Sequence, residues 1–140
     1  PDPEINFIRV NNEITAILAK SAVRATIQLP IKAVVIDTLS GRTGRYISAF
    51  RGVVPVYAMC YKEYVMRQLA LSFGIEAMYL EPRFTHKHEF VHEAMKMLLD
   101  RQKLTLNDTV LVIGGSFGPS NGATFMEISK VSNMLHLGKV

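Results

Sequence analysis

Apolar and polar positions follow two rhythms along this chain. Ile14, Ile17, Leu18, Ala22, Ala25 and Leu29 recur at the three-and-four spacing of a helix face. Asn11 or Asn12 stands where an N-cap belongs, Glu13 lies near the positive helix end, and Pro30 stops the run. Residues 1–9, with Pro1, Pro3 and acidic side chains, read as an arriving linker. The rhythm then changes. Ala33 to Ile36 is a continuous apolar, β-branched run, the pattern of a strand covered on both faces of a parallel sheet. A helix from about Gly41 to Phe50 is predicted next, stopping near Gly52.

The same unit recurs. Val53 to Met59 reads as a strand with Pro55 near its start, and Tyr61 to Phe73 as a helix closed by Gly74 in a C-cap position. Ile75 to Leu80 is a third strand, broken by Pro82. Thr85 is placed to cap a helix through Leu99, whose Phe90, Val91, Ala94, Met95, Leu98 and Leu99 form an apolar stripe. Thr109 to Ile113 makes a fourth strand that enters the loop 114–122, and Thr124 to Val131 a fifth, with a weakly determined tail.

Alternating helices and buried strands at these lengths build βαβ units, and so predict an α/β fold: a three-layer, doubly wound sandwich of about five strands in one domain, residues 1–140. Only the loop 114–122 separates the last two strands, too short a link for a parallel crossover of about a dozen residues. The last strand is therefore expected antiparallel and the others parallel. Ligands in such sheets sit beyond the carboxyl ends of strands. The turn 38–43 and the loop 114–122 both follow such ends and are expected to share one crevice.

Composition narrows the class. Of 140 residues, 49% are hydrophobic and 20% charged, the balance of a folded domain with a real core. No apolar run reaches the roughly 18 residues of a membrane span, so no membrane partner is expected. The N-terminus lacks a signal-peptide layout and begins with Pro1 rather than Met, which suggests a cut or processed chain. A single cysteine, Cys60, forbids an internal disulfide and fits a reducing cytoplasm. The net charge of +4 is scattered, with no basic tract, which argues against nucleic acid and equally suits small anionic ligands.

The candidate chemistry centres on residues 34–48, VVIDTLSGRTGRYIS. A strand that empties through hydroxyls and a glycine into a helix start makes an anion site. Unpaired N–H groups and the helix dipole supply positive potential, and glycine lets an anion reach the backbone. An ordinary capped turn is the plain alternative. The loop GGSFGPSNG, residues 114–122, could wrap an anion with N–H groups. It lacks the ending of a nucleotide P-loop and the dinucleotide spacing, and a strand follows it rather than a helix. A plain flexible hairpin is its alternative.

Other candidates are weaker. His86, His88 and His92 suit a solvated helix start better than a metal site, because no carboxylate or cysteine pattern completes a ligand set. With Arg83 and Lys87 they can add positive charge. Cys60 reads as a small core residue, and Ser40, His92 and Asp37 form a triad only on paper, without a nucleophile-elbow pattern. Arg67 and Gln68 read as surface or interface residues, and the methionines mostly as core.

Taken in order, TLSGRTGRYISAFRG (38–52), VPVYAM (54–59), MRQLALSFGI (66–75), NDTVLVIGG (107–115) and GATFMEISKV (122–131) resemble the C-terminal domain of pyruvate kinase. The resemblance runs from about Asn12 to Val131. Its most specific part is Thr-x-Ser-Gly-Arg-Ser/Thr. Three departures stand out: Arg51-Gly52 for Arg-Pro, Asn107 for a Gly before Asp, and Ala123-Thr124-Phe125 for Thr-Thr-Asn. The third lies beside the ligand loop and keeps open a domain whose effector differs or is absent.

The resemblance implies a regulatory and subunit-assembly domain that binds a phosphorylated sugar or nucleotide and takes part in a tetramer. It implies a phosphate pocket at Thr38, Ser40, Gly41, Arg42 and Thr43. The effector loop would be Ser116, Phe117, Gly118, Pro119, Ser120, Asn121 and Gly122. A basic residue for a second phosphate would come from the region of Arg83 to His88. Phosphoryl transfer from phosphoenolpyruvate to ADP, with its divalent metal and K+, would belong to a catalytic barrel. This chain would carry no catalytic residue, no metal and no cofactor of its own. A free-standing small α/β enzyme using Ser40 or Cys60 is the rival reading, and a structural domain with a decayed effector site is a third.

Overall fold

A computed structural model of the chain describes residues 3–41, 50, 53–118 and 122–135, with residues 3–12 as backbone only. In order the elements are α1 (Pro3–Gln28), β1 (Ala33–Thr38), β2 (Val56–Cys60), α2 (Glu63–Leu69), β3 (Ile75–Tyr79), α3 (Lys87–Asp100), β4 (Thr109–Gly114), β5 (Phe125–Lys130) and α4 (Val131–Leu135). The helix expected at 41–50 falls mostly outside the described residues.

The strands form one sheet in the order β3-β2-β1-β4-β5. Its first three pairings are parallel and β4 pairs β5 antiparallel. Alternate residues of each central strand face opposite layers. Val35, Met59 and Val112 pack with α3 and α4, while Val34, Ala58 and Leu111 pack with α1 and α2. Burial on both faces is why these strands read as unbroken apolar runs. The expected three-layer sandwich with an antiparallel last strand is what the chain forms.

Local boundaries differ for physical reasons. Helix α1 starts at Pro3, so Asn11 and Asn12 lie inside it rather than capping it, and residues 3–9 of the expected linker are helical. Its buried stripe is Thr15, Ala19, Ala22 and Thr26, whereas Ile14, Ile17 and Leu29 of the expected face are exposed. Small side chains let the helix lie close on the sheet, and Thr15 Oγ1 accepts the Ala123 N–H at 3.2 Å.

Tyr61 does not start α2, because its N–H donates to Thr38 O at 3.1 Å and extends the β1–β2 ladder. The helix ends at Leu69 in tight turns, Ser72 N–H to Leu69 O at 2.9 Å. Leu71 and Phe73 are therefore 90% and 79% exposed instead of helical. Gly74, expected as the helix cap, takes its positive φ of 80° at the entry to β3. The N-cap of α3 is His86 rather than Thr85, and Glu89 reaches back to accept the His86 N–H at 3.2 Å. The tail after β5 opens as α4.

Candidate functional site

Strands β1 and β4 are parallel neighbours in register at Ile36 and Ile113, so their carboxyl ends open side by side. To one side of β1 the order runs to β2 and β3, to the other to β4. This is the switch point at which doubly wound sheets leave a crevice. The turn after β1 and the loop after β4 flank it, as their positions in the sequence predict.

The turn is self-braced. Thr38 is buried, and its Oγ1 accepts the Gly41 N–H at 2.9 Å. Gly41 takes φ +82°, a conformation that glycine adopts without strain. Ser40 is exposed and Gly41 half-buried at the rim; Arg42 and Thr43 lie outside the described residues.

The loop is pinned at its root by Asp37. Its Oδ2 accepts the Gly115 N–H at 3.1 Å, the Ser116 N–H at 3.0 Å and the Tyr61 hydroxyl at 2.6 Å. Ser116 Oγ reaches Asp37 O at 3.4 Å. Gly115 takes φ +120°, and a Cβ there would stand 2.2 Å from Thr124 Oγ1. A Cβ on Gly114 would meet the Phe125 and Phe90 rings within 3 Å. The Gly118 N–H closes a turn onto Gly115 O at 3.0 Å. Pro119, Ser120 and Asn121 lie outside the described residues, and Gly122 is half-buried.

These bonds change what the site can offer. The N–H groups of Gly41, Gly115, Ser116 and Gly118 are committed within the protein, so they do not form the anion cradle that glycine content alone suggests. Phe117 is half-buried rather than open to ligand: its ring meets Phe84 at 5.2 Å and Phe90 at 6.0 Å. Tyr61 packs edge-on against the same two rings. Neither the Asp37–Tyr61 clamp nor this aromatic stack was read from the sequence. The available signal was an acid interrupting the buried run 33–38.

Electrostatics follow burial. Desolvation pushes the Asp37 pKa above 3.8, although hydrogen bonds from Tyr61, Ser116 and Gly115 pull the other way. Burial, and then the neighbouring Asp37 charge, raise the Tyr61 phenol far above its ordinary value. Cys60 is fully buried and burial pushes its thiol up to about 11, so it is core, not nucleophile. Asp37 is engaged with Tyr61, Gly115 and Ser116 rather than an imidazole, which dismantles the paper triad with Ser40 and His92.

His86, His88 and His92 are exposed. His88 and His92 line a groove of about 620 Å³ together with Glu81, Arg83, Glu93 and Lys96, remote in sequence from the crevice residues. Its charges are mixed, which does not favour an anion. Among the described residues, no group of three or more His, Cys, Asp or Glu side chains could hold a metal ion. No helix among them is long and apolar enough to cross a membrane. Arg67 and Gln68 are exposed, and Met59, Met78, Met95 and Met134 are core.

Residues 16–129 match the family described as "Pyruvate kinase, alpha/beta domain". The pyruvate kinase of Borreliella burgdorferi is 33% identical over 120 residues, covering 84% of this chain and 25% of that protein. That of Bacillus licheniformis is 27% identical over 131 residues, covering 94% of this chain and 22% of that protein. The chain thus spans a quarter or less of the length of these curated relatives. Among solved structures, Cryptosporidium parvum pyruvate kinase in complex with ADP superposes with a TM-score of 0.68 over 84% of this chain and 24% of that chain, at 22% identity. At that identity the likeness speaks for the fold alone.

Proposed function

The chain belongs to the pyruvate kinase family, as its alpha/beta domain, and from that premise we propose that it serves as the regulatory and subunit-assembly domain of a pyruvate kinase. The transfer from phosphoenolpyruvate to ADP is assigned to a barrel domain outside this chain, together with its divalent metal and K+. A phosphorylated sugar or nucleotide is the ligand of the crevice between the turn 38–43 and the loop 116–122. The observation that carries this reading is the switch point between β1 and β4, where Asp37 ties the root of the loop after β4 to the end of β1. The sequence of the turn, with Thr38, Ser40, Arg42 and Thr43, is rich in hydroxyl and basic groups, which supports an anion-binding role. A ligand acts there by its difference in affinity between quaternary states.

Assembly has separate support. Helix α1 turns Ile17 and Ile27 outward, 62% and 72% exposed, and β5 is an edge strand carrying the exposed Ile128. An apolar helix face beside an open edge suits a second copy of the domain.

A structural domain with a decayed effector site is the second reading. The committed N–H groups of Gly41, Gly115, Ser116 and Gly118 favour it. Calorimetric titration of the full-length protein with sugar mono- and bisphosphates decides between them. Saturable binding that is lost in Thr43→Glu supports the effector role. No binding at millimolar ligand, with unaltered behaviour of Thr43→Glu, leaves the structural domain.

A further inference from the structure

Asp37 lies under the crevice, buried, and takes donors from β4's loop and from the end of β2. We infer that Asp37 is the positioning residue of the crevice: its carboxylate holds the root of the loop 114–118 against the end of β1 and so presets the gap that a phosphorylated ligand enters. The ligand half of this inference rests on the function proposed above; the positioning half does not.

Three observations converge. Three donors from three residues meet on one oxygen, Oδ2, at 2.6 to 3.1 Å. The loop root has little room for another path, because Gly115 at φ +120° abuts Thr124 Oγ1 and the Thr124 N–H holds Gly114 O at 2.8 Å. Finally, Tyr61, which grips the carboxylate, shares an aromatic stack with Phe117 at the loop tip through Phe84 and Phe90. The carboxylate and the loop tip are therefore braced by the same rings.

Asp37 does not act by touching ligand. A negative charge beneath an anion site repels the anion, so charge alone predicts tighter binding when Asp37 becomes neutral. Positioning predicts the opposite. In Asp37→Asn one neutral carbonyl oxygen replaces the charged acceptor that three donors share, so the hold on the Gly115 and Ser116 N–H groups weakens, the loop root loosens from β1, and the gap widens.

The test uses the full-length protein, the Asp37→Asn variant, and both a hexose bisphosphate and inorganic phosphate as probes. Amide hydrogen exchange is read at Gly115 and Ser116, with Val35 and Val112 as strand controls. In Asp37→Asn we expect exchange at the two loop amides to rise on the order of tenfold, with the controls unchanged, and bisphosphate affinity to fall on the order of tenfold. Unchanged exchange overturns the inference, as does faster exchange with equal or tighter binding. If the unmodified protein binds neither probe, the effector reading and the ligand half fall together, and the exchange result alone decides the positioning half. If Asp37→Asn does not fold, the unmodified protein decides: strand-like protection of both amides upholds positioning, and exchange at the rate of an exposed turn overturns it.

Discussion

Desolvating a carboxylate costs several kcal/mol, and in Asp37 one hydroxyl and two peptide N–H groups offset only part of it. Tyr61→Phe removes the hydroxyl while keeping the ring in its stack. It should lower stability by about 1.5–3 kcal/mol, the range for a hydrogen bond to a charged group, measured by urea denaturation. Folding raises the Asp37 pKa above its ordinary 3.8, so the folded chain keeps that proton to higher pH than the unfolded chain. The stability contributed is fully present below pH 3.8 and is lost as pH rises through the folded-state pKa. The stability of the unmodified protein relative to Asp37→Asn should therefore fall with pH across that window; a difference that grows with pH contradicts the assignment. Cys60 gives a third check. With its thiol buried and raised to about 11, it should react with a thiol reagent at pH 7 only as fast as the protein opens.

At the scale of elements, the strands and the buried stripe of α3, Phe90, Val91, Ala94, Met95 and Leu98, were legible, while the face of α1 and the end of α2 were not. Runs such as Ala33 to Ile36 and Val110 to Ile113 are apolar throughout because both sides are covered. Helix α1 shows the opposite case. Among its described side chains Ile14, Ile17 and Ile27 face outward, and Thr15, Ala19, Ala22 and Thr26 face the sheet. Hydrophobic size marks the wrong stripe when close approach requires small side chains. Ala22→Leu should consequently cost about 1–3 kcal/mol by overpacking against the sheet. Ile17→Lys should leave folding within about 0.5 kcal/mol yet weaken self-association, read by sedimentation. The early end of α2 has a similar lesson. Leu71 and Phe73 read as helix because they are apolar, while the chain has already turned to reach β3.

For the whole molecule, topology made the crevice legible and long-range contacts hid its construction. Once the strands are known to be parallel, the carboxyl ends of β1 and β4 have to open together, so the turn at Thr38 and the loop at Ser116 meet. The clamp spans 24 residues from Asp37 to Tyr61 and 78 to Gly115, distances that no local periodicity reports. It also shows that glycine-rich does not mean donor-rich, since several loop amides already have partners. The most direct measurement is a two-dimensional amide NMR titration of the full-length protein with a hexose bisphosphate. A phosphate ligand in the crevice predicts that the resonances of Leu39 to Gly41 and of Ser116 to Gly118 move together along one saturable curve. Shifts confined to the groove around Arg83 and Lys96, or none at millimolar ligand, would contradict it.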